Sequence, residues 1–127
     1  MLIFIYDLAM NFNLKHYAYI GDCVFELFIR EIVINKTQKQ DIMHKMSTKY
    51  VNAQAQADFL EKIIEKLSEE ELEIQKRGRN LKITINKKSN PKIHALATSF
   101  EVLIGYWYLN NKARLDEILN EIKKTIE

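Results

Sequence analysis

An all-α fold is predicted by three observations. Glycine and proline are scarce, at three and one in 127 residues, whereas a β-sandwich or barrel of this length needs turn residues between many short strands. Apolar residues recur at helical spacing, as in Tyr50, Ala53, Ala57, Leu60, Ile64 and Leu67. Start signals stand where helices should begin: Ser68 precedes three glutamates, and Pro91 precedes a long apolar run. With 47% hydrophobic and 28% charged residues, the chain reads as one globular domain over residues 1–127 rather than a disordered polymer.

The elements follow in order. The apolar run from Met1 to Tyr6 lacks the basic start of a signal peptide and the length of a membrane span. Residues 4–12 predict a short helix, broken by Asn11 and Asn13. A second helix runs from Leu14 to Ile34, before a polar break at residues 35–37. A third helical region covers Gln38 to Leu67, bent near Ser47. Ser68 caps a fourth helix, whose first turn carries Glu69, Glu70 and Glu71 at the positive end of the dipole. Gly78 is the expected C-cap of that helix. Residues 80–90 are polar, basic and aperiodic, and read as a loop or hairpin. Pro91 opens a fifth helix to Leu109, Asn110 and Asn111 form a turn, and Ala113 to Ile126 is a last amphipathic helix.

Several functions are excluded or gain no support. Gly21, Gly78 and Gly105 are too far apart for a dinucleotide or P-loop fingerprint. Cys23 is the single cysteine, so no internal disulfide forms and a reducing compartment, the cytoplasm, is expected. His16, His44 and His94 are scattered, and none pairs with Cys23 at zinc spacing. Tyr106, Trp107 and Tyr108 read as core or subunit interface.

Carboxylates are the stronger signal. The second helix is apolar nearly all round, yet Asp22 and Glu26 sit in it four residues apart, on one face. Glu101 is the only formally charged residue between Lys92 and Lys112. Buried carboxylates need a cation, donors or a way out to solvent. Two such helices point to a shared site of hard oxygen ligands suited to Mg²⁺ or Mn²⁺. Gly21 adjoins Asp22 and Gly105 lies one turn after Glu101. Close helix packing at both would offset the roughly 1 kcal/mol that a helical glycine costs.

Charge distribution supplies the third feature. The net charge is only +2, but Lys76, Arg77, Arg79, Lys82, Lys87, Lys88 and Lys92 occur in one stretch without any Asp or Glu. Such a run suits phosphate contact, with Asn80 and Ser89 as neutral donors. No aromatics interleave with it, so backbone recognition of a duplex fits better than stacking on single strands.

These residues carry a resemblance. The segment from Tyr19 to Asp22 resembles the signature box of the ribonuclease III endonuclease domain. The segment from Phe100 to Gly105 resembles that family's second acidic box. The segments Ala18 to Glu26, Lys49 to Ala57 and Lys76 to Lys82 are closer still to the family's compact bacterial branch, the Mini-ribonucleases III. The resemblance implies an all-helical, homodimeric catalytic domain without an appended double-stranded-RNA-binding domain. It implies Mg²⁺-dependent cleavage of duplex RNA, with Mn²⁺ as a substitute, and trimming of precursor 23S ribosomal RNA. Asp22 and Glu101 match the metal-binding catalytic residues. Glu26 matches the branch pattern, as an orienting or a structurally paired residue. Lys76, Arg77, Arg79, Asn80, Lys82, Lys87 and Lys88 are the expected RNA contacts. The wider family has further acidic residues where this chain has Lys15, Ala18 and Thr98, which implies a site with fewer carboxylates. The alternatives are a non-catalytic helical nucleic-acid-binding module and a helical dimerisation protein.

Overall fold

The computed structural model describes residues 13–81 and 90–126. The helix expected over residues 4–12 lies outside the described residues. Among those residues the structure is all helical: α1 (Leu14–Val33), α2 (Gln40–Val51), α3 (Ala53–Ile63), a 3₁₀ turn (Ile64–Lys66), α4 (Glu69–Arg79), α5 (Pro91–Asn110) and α6 (Lys112–Ile126).

Short polar side chains set most boundaries. The Asn13 side chain accepts from the backbone N–H groups of Lys15 and His16, at 2.9 and 3.2 Å, and opens α1. Ser68 and Glu71 form a reciprocal capping box at the start of α4. Asn90 accepts from the N–H groups of Lys92 and Ile93 ahead of Pro91. Asn111 closes α5 and caps α6, accepting from the Arg114 N–H at 3.1 Å.

Two boundaries differ from expectation. The break between Gln38 and Leu67 falls at Asn52, not near Ser47, which is buried within α2. The Asn52 side chain accepts from the Ala55 N–H at 2.8 Å and donates to the carbonyls of Thr48 and Lys49. An amide both donates and accepts, so this one residue ends α2 and begins α3. Gly78 is not a C-cap. The helix continues to Arg79, Asn80 follows at φ −91°, and no described glycine has positive φ. Gly78 is small because it packs. A Cβ there would lie 3.1 Å from the Ser99 Cα and 3.2 Å from the Val102 Cβ.

The core gathers around α5, which is apolar on nearly all sides, as a central helix must be. Phe25, Ile29 and Val33 of α1 meet Phe59, Leu60 and Ile63 of α3, Phe100, Leu103, Ile104 and Trp107 of α5, and Leu115, Ile118 and Ile122 of α6. Phe25 and Phe100 stack edge to face, with centroids 5.0 Å apart. Each such side chain contributes roughly 1.5–3 kcal/mol on burial.

The closest backbone approach is between α1 and α5. A Cβ on Gly21 would run into the Glu101 carbonyl, and one on Gly105 into the Tyr17 carbonyl. Each glycine thus lies against the backbone of the other helix, and the two helices cross with no side chain between them.

Candidate active site

That crossing places two carboxylates together. Gly21 precedes Asp22 on α1, and the Glu101 backbone lies against Gly21. The Glu101 carboxyl lies close enough to that of Asp22 for the two to interact. Burial, reinforced by the neighbouring Asp22 carboxyl, pushes the Glu101 carboxyl up to about 8. Asp22 is exposed to solvent. Burial and the neighbouring carboxyl thus favour the neutral form of Glu101.

Two carboxyl groups held this close favour a positive charge beside them. Two hard oxygen donors, one half-buried and one open to water, fit a divalent cation that keeps several of its waters, as Mg²⁺ does. Among the described residues, no group of three or more His, Cys, Asp or Glu could hold a metal ion. Asp22 and Glu101 are the two carboxylates this crossing would offer to a cation. Ala18 and Thr98, at positions where further acids were sought, are buried, and Lys15 is exposed.

Glu26 lies one turn beyond Asp22 on the same face of α1. Its partner is Arg30, at 3.6 Å, and both side chains are well exposed. Lys76, Arg77, Arg79 and Asn80 are all exposed around the end of α4. Between them, Gly78 packs on Ser99 and Val102, which flank Glu101 in sequence. The following Leu81 packs against Tyr17, Ala18 and Val102, and Ala18 is one turn before Asp22. The end of α4 thus packs on the same two helices, α1 and α5, that carry the carboxylate pair. Lys82, Lys87, Lys88 and Ser89 lie outside the described residues.

A second polar cluster was not foreseen. Glu71, only 8% exposed, accepts from the Trp107 indole N–H at 2.7 Å and from the Arg114 guanidinium through both oxygens at 2.9 Å. Arg114 also donates to the Lys66 carbonyl and to Glu117. Burial would raise the Glu71 carboxyl, but the hydrogen bonds from Arg114, the Ser68 N–H and Trp107 outweigh it and hold the group at about 2. The cluster joins α4, α5 and α6. Its signal in the sequence was Trp107 itself, a core residue whose N–H needs an acceptor.

The outer face of α1 is uncovered among the described residues. Tyr19, Leu27 and Ile34 are 77%, 60% and 61% exposed, with exposed Cys23 between the first two. The spacing lines them along one side of the helix. No helix among the described residues is long and apolar enough to cross a membrane.

Comparison with known proteins places this geometry in context. Residues 15–112 match the model of the ribonuclease III domain. The chain is 43% identical over 112 residues to Mini-ribonuclease 3 of Clostridium tetani, covering 86% of this chain and 72% of that protein. It is 41% identical over 108 residues to Mini-ribonuclease 3 of Enterococcus faecalis, covering 81% and 82% respectively. The crystal structure of protein FN1578 from Fusobacterium nucleatum superposes with a TM-score of 0.82 at 29% identity, over 92% of this chain and 96% of that one.

Proposed function

The chain belongs to the ribonuclease III family and is an endoribonuclease, and from that premise we propose that it hydrolyses double-stranded RNA with Mg²⁺, or Mn²⁺ in its place. Asp22 and Glu101 are the metal-holding catalytic carboxylates. The substrate is precursor 23S ribosomal RNA, the setting is the cytoplasm, and residues 1–127 act as one catalytic domain. The observation that carries this reading is the Asp22–Glu101 pair, formed at a glycine-lined helix crossing. Membership of a nuclease family displaces the two non-catalytic alternatives.

Asp22 and Glu101, both as carboxylates, would hold the cation through their oxygens. When bound, that cation lowers the pKa of a coordinated water and polarises the scissile phosphate. Lys76, Arg77 and Arg79 hold backbone phosphates of the duplex through charge-assisted hydrogen bonds, and the Asn80 amide adds neutral donors. Lys82, Lys87 and Lys88 belong to the same basic run in the sequence and are the further RNA contacts of this proposal. Glu26, held by Arg30, orients the outer edge of the site. Hydrolysis breaks the bond between phosphorus and the 3′ oxygen, leaving 5′-phosphate and 3′-hydroxyl ends.

A second copy of the chain covers the exposed stripe of Tyr19, Leu27 and Ile34. A twofold dimer through α1 places one site for each strand of the duplex. The test is end-labelled duplex RNA incubated with the protein in Mg²⁺ or in EDTA. Fragments are expected in Mg²⁺ only. Equal cleavage in EDTA, or cleavage of single strands alone, would overturn the proposal.

A further inference from the structure

Beside the apolar packing of Leu72 and Ile74, the contact between α4 and α5 carries a polar and small seam. Three buried positions of α4 spaced at i, i+4 and i+7 form that seam. Glu71 accepts from Trp107. Gln75, 2% exposed, donates from its side-chain amide to the Ser99 hydroxyl at 3.3 Å. Gly78 lies against Ser99 and Val102. Ser99 is itself fully buried and donates to the Leu96 carbonyl at 2.8 Å. An aliphatic seam tolerates sliding, because dispersion contacts are non-directional. A seam of directed hydrogen bonds closed by a glycine has one register.

From this we infer that Gln75 and Gly78 are positioning residues: they fix the register of α4 on α5 so that Lys76, Arg77 and Arg79 meet the RNA backbone at the spacing the carboxylate pair requires. The inference rests on the proposed role of that basic turn in RNA binding. The geometry is favourable for it. Ser99, the partner of both residues, is two positions before Glu101, and the basic side chains emerge from the same turn as Gly78. An error in register at the seam is passed to the phosphate contacts without touching any of them.

The test uses Gln75→Leu and Gly78→Ala, which leave every proposed RNA-contacting and metal-holding side chain in place. Gln75→Leu removes the directed bond at similar volume. Gly78→Ala presses the end of α4 away from Ser99 and Val102. The readouts are kcat and KM on duplex RNA across a salt series, with thermal melting to confirm folding. The expected result is kcat within about twofold of wild type, KM raised about fivefold or more, and a shallower dependence of log KM on log salt, because fewer phosphates are neutralised together. A merely structural role would instead lower the melting temperature and kcat and leave KM and the salt slope alone; that result overturns the inference. If Gly78→Ala does not fold, Gln75→Leu decides the matter by the same criteria. The triple variant Lys76→Ala, Arg77→Ala and Arg79→Ala separates the two levels. If it raises KM while both seam variants do not, only the positioning role fails. If it leaves KM unchanged, the RNA-binding role of the turn fails, and the inference with it.

Discussion

Gly21→Ala tests the link between packing and chemistry with a single methyl group. The added Cβ would lie 2.7 Å from the Glu101 carbonyl carbon and 2.9 Å from the Gly105 nitrogen, with the Glu101 carbonyl oxygen nearer still. Ordinary carbon contacts lie at about 3.5–4.0 Å, so α1 and α5 must part locally by about 1 Å. All three atoms are backbone, and no rotamer change can make room. Overpacking of this kind costs about 3 kcal/mol, the upper end of its usual range. Alanine regains about 1 kcal/mol of helix propensity over glycine, which leaves a net loss of about 2 kcal/mol. The same parting separates Asp22 from Glu101. A displacement of about 1 Å in a catalytic constellation costs on the order of 100-fold in rate. Urea denaturation measures the first quantity, and single-turnover cleavage of duplex RNA in Mg²⁺ measures the second. A variant within about 0.5 kcal/mol of wild-type stability and with an unchanged rate would refute the reasoning.

Other expectations follow from the same geometry. Arg114→Ala strands the buried Glu71 carboxylate and should cost about 3 kcal/mol in urea denaturation, with the cleavage rate of the folded protein little changed. The Glu101 carboxyl is raised from 4.5 to about 8 in the folded, metal-free protein, which then holds a proton that the unfolded chain releases. Stability from this group is complete below the unfolded value and is lost as pH rises through the folded one. Melting temperature in EDTA should therefore fall between about pH 5 and pH 9, and Glu101→Gln should flatten that fall; parallel curves for the two proteins would count against the assignment. Leu27→Glu puts a charge in the exposed α1 stripe and should shift sedimentation from dimer to monomer, whereas a wild-type protein that sediments as a monomer would remove that face from consideration.

Much of the fold was legible because its determinants are local. Ser68 with Glu71 and Pro91 after Asn90 are short-range cap signals, and the structure uses each as a helix start. The α2–α3 break was misplaced because its cause is one asparagine side chain bonding to both helices, a geometry that apolar periodicity does not register. Gly78 was misread for a related reason. Glycine after a helical run usually marks an end, whereas here the neighbour on α5, far away in sequence, demands a residue without a side chain. The carboxylates stood out because charge in an apolar helix is costly wherever it occurs, and Gly21 and Gly105 pointed to the crossing that joins them. The Glu71–Arg114–Trp107 cluster did not stand out. Glu71 and Arg114 each sit on helices whose other charges face water, and only tertiary packing brings them together.

The most direct measurement is cleavage of labelled duplex RNA by Asp22→Asn in Mg²⁺, made on protein shown by melting and sedimentation to match wild type in fold and assembly. Asparagine keeps the shape of the side chain and removes one carboxyl group from the pair. The expected outcome is retained binding of the duplex with cleavage reduced on the order of 100-fold or more. Cleavage at the wild-type rate would contradict the assignment of Asp22 and Glu101 as the catalytic pair.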